Sequence, residues 1–480
     1  MGDLKSKSIN TVRWNLIAKF SQYFITFFLS IILARYISPA EFGLTGMLSI
    51  FISVSNVLLN AGLSSALIRD KSASEDDYST VFYFNIVVSF SLYGILFVCA
   101  PLIAGFYKEP ELIPLTRLIT LVFVISSFGL IQNTQLVKEL NFRKQTIINL
   151  LALLISIIVG IVLAVTNYGV YAIVWQTLIQ ALIVTVLLWT TSTWRPSGTF
   201  KKKSFLKLWK FASNVLFTGI FNAVANNLDN LMIGKVFNKT TLGFFVRAKS
   251  TNAIPENIFT SVIGTAAFSI LSKLNDNLDE FRLKQFTFFK LIFTFALPLS
   301  IIFHLLSRDL VIVLYGQKWE ASIPLLQILS FSLLPMLLST LTGQVLMSLG
   351  DSRNFLYLSV IKRSLNFALI PIGIFLGLYA FVISYAVAQY IGFFIDLTFV
   401  SRKIKMPIKS YLIYSIKPIL ISLFVLGLGS FRGNIFEFGH LLNIVFHGLI
   451  YVLLFMLAYR LILSEELNNF LSILPFKRKK

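Results

Sequence analysis

Long apolar runs recur along this chain at nearly even spacing, each closed by a short polar or glycine-bearing break. A helix that crosses a bilayer needs about 20 mainly apolar residues. Runs of that length fall near residues 14–35, 42–67, 80–106, 115–136, 146–166, 169–190, 211–235, 243–272, 286–315, 322–348, 354–376, 378–401, 411–430 and 441–463. The pattern predicts an all-α polytopic membrane protein with about fourteen transmembrane helices. The runs at 211–235 and 243–272 differ from the rest, because polar residues interrupt them.

Composition agrees with the pattern. Of 480 residues, 56% are hydrophobic and 13% charged, with a mean hydropathy of +0.80, whereas soluble domains carry about 25% charge. The opening "MGDLKSKSINTVRWNLIAKF" runs into the first span without a small-residue cleavage site, so it is expected to be retained. A single cysteine, Cys99, excludes an intrachain disulfide, and His304, His440 and His447 are too scattered for a local zinc motif. With no Walker loop and no G-x-S-x-G, neither a metal nor a cofactor is expected, and the chain is read as a non-enzyme. The formal charge of +21 fits basic cytoplasmic loops beside anionic lipid better than nucleic acid.

Charge also orients the spans. With a cytoplasmic N-terminus, roughly 26 of the Lys and Arg residues fall inside and roughly 10 outside, as the positive-inside rule requires. The loop "WRPSGTFKKKSFLKLWK" (Trp194 to Lys210), the loop "SRKIKMPIK" and the tail Lys477–Lys480 all lie on the cytoplasmic side in this arrangement. Both termini are therefore expected in the cytoplasm.

An internal repeat organises the chain. "LARYISPAEFGL" (Leu33 to Leu44) and "IGKVFNKTTLGF" (Ile233 to Phe244) align without gaps at an offset of 200, so that Ser38 meets Asn238 and Gly43 meets Gly243. Downstream, "AGLSSALIRDKSASEDD" and "SVIGTAAFSILSKLNDNLDE" both turn acidic after a small-residue helix. Six spans separate the copies, so they share orientation, as in transporters built from parallel repeats. The expected organisation is a first lobe at 1–193, a basic cytoplasmic linker at 194–210, a second six-helix lobe at 211–401, and two further spans with a basic tail at 402–480.

Polar residues at membrane depth cost about 2.5–3.5 kcal/mol each when ionisable, and so point to function. Asn214, Thr218, Asn222 and Asn226 recur every four residues, and Asp229 follows three later. They cover an arc of about 120° on a helix, leaving the other side to Leu, Val and Ile. One reading is a face lined by water; the other is interhelical hydrogen bonding in a dry bundle. The next span adds Arg247 and Lys249, then Pro255, which kinks helices, and Glu256. Lys19, Lys290, Lys362 and Arg363 lie in other spans, and Asp396 joins Asp229 and Glu256 as the acidic groups. Converging cations with Asn and Thr suit an anion rich in hydroxyls, such as a diphosphate-linked sugar. Arg247, Lys249, Asn222, Asn226, Asp229, Asn214, Thr218, Lys19 and Arg363 are the cavity candidates, and the family resemblance given below favours Arg247 over Lys249; Asp229, Glu256 and Asp396 are candidates for carrying a coupled proton or sodium ion, or else structural partners of nearby cations.

The same stretches carry a family resemblance. "AGLSSALIRDKSASEDDYSTVFYFNI", "LDNLMIGKVFNKTTLGFFVRAKSTNAIP", "FSILSKLNDN" and "YGQKWEASIPLLQILSF" resemble the Wzx-type polysaccharide flippases, in the branch of colanic acid and teichuronic acid exporters of the multidrug/oligosaccharidyl-lipid/polysaccharide superfamily. Phe244-Phe245 departs from the tyrosine usual there. The resemblance, from about residue 8 to 405, implies a MATE-like fold of two lobes rocking around a central cavity. It implies carriage of a polyprenyl-diphosphate-linked oligosaccharide repeat unit of O-antigen, capsule or exopolysaccharide across the bacterial inner membrane, with membrane lipids and a polysaccharide polymerase as partners. By analogy with lipid II flippases, it implies diphosphate contacts from Arg13, Lys19, Arg247 and Lys249. A multidrug/cation antiporter of the same superfamily is the alternative, and should show an acidic cavity and twelve spans. A membrane enzyme acting on lipid-linked sugars should show a large outer loop, and the outer connections here are short.

Overall fold

The computed structural model describes residues 21–60, 62–430 and 439–462, and all regular structure there is helical. The chain forms two compact units, Met1–Gly243 and Phe244–Lys480. In the first, α1 (21–36) is followed by α2 (Pro39–Asn60), α3 (Leu63–Arg69), α4 (Glu75–Tyr107), α5 (Leu112–Ile119), α6 (Leu121–Lys138), α7 (Phe142–Val165), α8 (Val170–Thr191) and α9 (Lys202–Val236). α10 (Lys239–Leu271) begins in the first unit and continues into the second. There it is followed by α11 (Leu278–Tyr315), a 3-10 turn (Gln317–Ser322), α12 (Ile323–Ser330), α13 (Leu333–Ser348), α14 (Ser352–Ala368), α15 (Ile370–Leu376), α16 (Leu378–Lys403), α17 (Ile408–Ser430) and α18 (His440–Ile462).

Among the described residues, eleven helices are long and apolar enough to cross a membrane, or twelve if Gln317–Ser330 and Leu333–Ser348, bent by 45°, form one span. These match twelve of the fourteen expected runs. The first expected span falls partly outside the described residues. The other, at 211–235, forms the end of α9, which is long enough but does not reach the apolarity of the rest. α9 also starts earlier than the apolar run, so Lys202–Lys210 of the basic linker is helical.

The repeat is visible in how helices begin. Ser38 sits before α2, where its hydroxyl accepts from Glu41 N–H at 3.4 Å, and Asn238 sits before α10, where its Oδ1 accepts from Thr241 N–H at 2.8 Å. Both are N-cap contacts that satisfy donors the helix itself leaves open. The acidic segments repeat the device. Ser74 and Asp77 form a capping box at α4, and the Asn277 side chain accepts from Glu280 N–H at the start of α11.

Gly43 and Gly243, the matched glycines, make reciprocal approaches. A Cβ on Gly43 would lie 1.7 Å from the Lys239 carbonyl oxygen, and one on Gly243 would lie 1.8 Å from that of Pro39. The first turns of α2 and α10 therefore cross at backbone contact, and only residues without a side chain permit it.

At the start of α4 the acidic turn gathers the linker. Trp194 donates to Glu75 at 2.7 Å, Gly198 N–H to Ser79 at 3.1 Å and Lys201 N–H to Thr80 at 3.0 Å. Lys207 of α9 bridges Asp70 at 2.6 Å and Asp77 at 3.1 Å. Hydrogen bonds from Lys207 and from Ser72 hold the Asp70 carboxyl down at about 2, below the ordinary 3.8.

In the second unit α11 is the organising helix. Phe281, Phe289 and Phe293 pack with Leu337, Leu341 and Val345 of α13 and with Val400 of α16. The two C-terminal helices are pinned to α11 at three levels. Tyr411 donates to Gln285 at 2.6 Å, Tyr414 shares a hydrogen bond with Thr294 at 2.6 Å, and the buried Asp309 meets His440 at 2.7 Å and Asn443 at 3.3 Å.

Two outcomes are expected. Gly43→Val forces the crossing apart and should cost about 1–3 kcal/mol or more by overpacking, whereas Gly94→Ala, which meets nothing within 4 Å, should leave thermal unfolding in detergent unchanged. Asp70, with its pKa lowered on folding, contributes stability that is present above pH 4 and lost as pH falls towards about 2. Lys207→Met should therefore lower the unfolding temperature at pH 7 and flatten its fall between pH 4 and 2.

Candidate functional site

The amides of α9 divide between those that reach α2 and those left exposed. Asn227 donates to Ser53 of α2 at 3.1 Å and Asn230 to Ser49 at 3.0 Å. A Cβ on Gly219 would lie 2.6 Å from Val57, so α9 runs close along α2. This is interhelical hydrogen bonding between small residues, as membrane helices use it. Earlier along the stripe that ends at Asn230, Asn214, Thr218 and Asn226 are exposed and Asn222 is half-buried. The hydrogen-bonded reading of the pattern thus finds residues in Asn227 and Asn230, where α9 meets α2. Asp229 does not share the exposure of the stripe: it is buried, and its Oδ1 accepts from Asn230 N–H at 2.9 Å.

α10 is likewise two-sided. Arg247 is only 4% exposed. Its guanidinium lies 4.7 Å from the ring centre of Tyr315 and 5.1 Å from that of Trp319, both fully buried. One turn on, Thr251 shares a 2.9 Å hydrogen bond with the Tyr315 hydroxyl. Phe244 meets Trp319 edge-on and Phe245 packs beside Phe381, so the phenylalanines that replace tyrosine sit among rings. A desolvated guanidinium over aromatic faces gains about 2 kcal/mol. Lys249 and Glu256 point away from this cage. At 100° per residue both fall roughly 160–200° from Arg247, and both are half-buried. The ammonium of Lys249 lies 5.9 Å from the Phe245 ring centre.

The remaining candidates separate into structural and open groups. Asp396 is buried at 2% exposure and receives Lys362 at 2.5 Å and Thr342 at 3.1 Å. The Lys362 stem passes over Gly392, where a Cβ would meet it at 3.1 Å. Asp396 thus joins α13, α14 and α16. Its neighbour in the pair, Lys362, lies next to Arg363, which is half-buried on α14. Lys290 lies over the rings of Phe286 and Tyr414 at 5.0 and 5.3 Å. Arg13 and Lys19 lie outside the described residues. Among those described, no group of three or more His, Cys, Asp or Glu could hold a metal ion.

Sequence reasoning did not anticipate the anchors Asn227, Asn230 and Asp309. Asn230 continues the four-residue series of 214, 218, 222 and 226, and Asn227 was visible as an extra amide beside it. Asp309 and His440 are 131 residues apart, and nothing local signals their meeting.

Known proteins are similar to this chain along most of its length. Residues 32–324 match the family model described as polysaccharide biosynthesis protein. The teichuronic acid biosynthesis protein TuaB of Bacillus subtilis (strain 168) is 26% identical over 378 residues, covering 77% of this chain and 77% of TuaB. The succinoglycan biosynthesis transport protein ExoT of Rhizobium meliloti (strain 1021) is 24% identical over 323 residues, covering 67% of this chain and 65% of ExoT. Among solved structures, the lipid II flippase MurJ in its inward closed conformation is similar in fold, with a TM-score of 0.76 over 95% of this chain and 99% of MurJ at 16% identity.

The faces of α9 can be read by labelling. In a Cys99→Ala background, single cysteines at positions 214, 218 and 226 should react with a small membrane-permeant maleimide, and cysteines at 227, 228 and 230 should not. Uniform inertness would assign the whole helix to a dry bundle. In the same series, a cysteine at position 202 should be shielded from an impermeant reagent in whole cells.

Proposed function

Because the chain belongs to the polysaccharide biosynthesis protein family, we propose that it is a flippase, not an enzyme. In this reading it moves a polyprenyl-diphosphate-linked oligosaccharide repeat unit from the cytoplasmic to the periplasmic leaflet of the bacterial inner membrane by alternating access. The observation that carries the reading is the exposed amide stripe of α9, a helix less apolar than its neighbours in a chain that otherwise fits a bilayer. Amides and hydroxyls can replace the water around sugar hydroxyls, and such groups on an exposed helix face at membrane depth suit contact with cargo or water.

Lys249 and Arg363 are assigned to the diphosphate, with Asn214, Thr218, Asn222 and Asn226 contacting the sugar. Arg247 supports them by fixing the rotation of α10 against Tyr315 and Trp319. Glu256, on the Lys249 side of α10, is assigned to the coupled proton or sodium ion, since a ligand can shift the two-state equilibrium only through differential affinity. Asp229 and Asp396, both buried, are assigned to holding helices together. Lobes at 1–193 and 211–401 with a linker at 194–210, cytoplasmic termini and a downstream polysaccharide polymerase complete this reading.

A complementation assay in cells lacking their own exporter tests it. Lys249→Ala and Arg363→Ala should each remove a charge-assisted contact of about 1.5–3 kcal/mol, weakening cargo binding roughly ten- to a hundredfold. Export should fall at normal protein level, and Lys249→Arg should restore part of it. Arg247→Ala should instead lower protein level or unfolding temperature. Wild-type export from both Lys249→Ala and Arg363→Ala would remove the diphosphate site from α10 and α14. Drug efflux without polysaccharide export would favour the antiporter.

A further inference from the structure

At the C-terminal end of α4, a 33-residue helix away from its acidic first turn, three connections of the first unit meet around a cavity of about 480 Å³. Its wall includes Glu41 of α2, Glu111 ahead of α5, and Asn167, Tyr168 and Tyr171 at the α7–α8 turn. Small-molecule pockets run from about 300 to 1,000 Å³, so the space suits one or two sugar rings.

The wall is preorganised. Asn167 adopts the left-handed conformation at φ 63°, with its N–H on Ala164 and the Tyr168 N–H on Leu163, the Schellman closure of α7. Gly169 follows at φ 56°, and a Cβ there would lie 1.8 Å from Glu41 Oε1. Glycine lets that oxygen accept from Val170 N–H at 3.2 Å, while Glu41 Oε2 accepts from the Ser38 N–H and hydroxyl at 2.8 and 2.6 Å. Glu111 is held by Lys239 at 3.0 Å. Glu41 is thus fixed and Glu111 is paired with a cation, which suits both to accept a further bond from a hydroxyl rather than to strip the water from a metal ion. Tyr168 is 57% exposed and offers a ring face to the C–H side of a pyranose, with a phenol at its tip.

We infer that this cavity is a saccharide site, taking one or two neutral sugar rings of the exported glycan at the releasing end of the carrier. The identity of the glycan rests on the flippase reading; the chemistry of the pocket does not.

The test uses the full chain purified in detergent and, as probe, the free repeat-unit oligosaccharide released by mild acid from its polyprenyl carrier. Saturation-transfer NMR should show binding by the wild type. Tyr168→Ala, Glu111→Gln and Asn167→Gly should each raise Kd about tenfold or more, the loss of a contact of about 1.4 kcal/mol. Asn167→Gly keeps the left-handed turn and removes only the amide, so its unfolding temperature should stay at the wild-type value. No binding by the wild type, a wild-type Kd in all three variants, or binding abolished by EDTA would each overturn the site. Movement of the lipid-linked unit in proteoliposomes, measured in parallel, separates the two claims. Transport without saccharide binding overturns this site alone, and saccharide binding without transport overturns the flippase reading alone.

Discussion

Hydrocarbon offers no hydrogen-bond partner, so each polar side chain at membrane depth must be met by protein, water or cargo. That constraint decides most of what distinguishes one helix from another here. Asn227 and Asn230 are met by serines of α2, Asp396 by Lys362 and Thr342, Asp309 by His440 and Asn443, and Gln285 by Tyr411. Each match fixes two helices in register as well as satisfying a dipole.

How much could be read from the sequence follows from the range over which each signal acts. Helix positions are local, since about 20 apolar residues suffice to specify a span, and twelve of the fourteen expected runs fall on helices or helix pairs long and apolar enough to cross a membrane. The N-caps at Ser38, Ser74, Asn238 and Asn277 are equally local. The role of Arg247 was not local. Its aromatic partners Tyr315 and Trp319 lie about seventy residues downstream, and a cation in a span looks the same in a cage as in a cavity. Lys249, two residues away, differs only in helical phase, which the sequence shows but does not orient.

The repeat contributes more than symmetry. Gly43 and Gly243 occupy equivalent places, and each allows the backbone of the other copy's first turn to approach. The surrounding residues have diverged. Ser38 is joined by Glu41, whose carboxylate reaches across to the α7–α8 turn, whereas Asn238 caps its helix alone and the adjacent Lys239 extends to Glu109 and Glu111. One copy therefore supplies a carboxylate and the other a cation to the same end of the first unit. A strict duplication would place like charges there, at a cost of the same order as the attraction now gained.

The two-sidedness of α10 carries a further consequence for a carrier. A cargo cation is useful only if its own helix holds a fixed rotation, because a diphosphate contact loses strength steeply with distance and angle. Long apolar helices in lipid have little to fix that rotation. Arg247 supplies it from the opposite face: its charge is enclosed by Tyr315 and Trp319, and Thr251 ties the next turn to Tyr315. Replacing this cage with leucines would keep the helix in the bilayer and lose the contacts that tie its rotation to Tyr315 and Trp319. Two cations two residues apart thus differ in surroundings, one enclosed by rings and the other half-buried on the opposite face of α10.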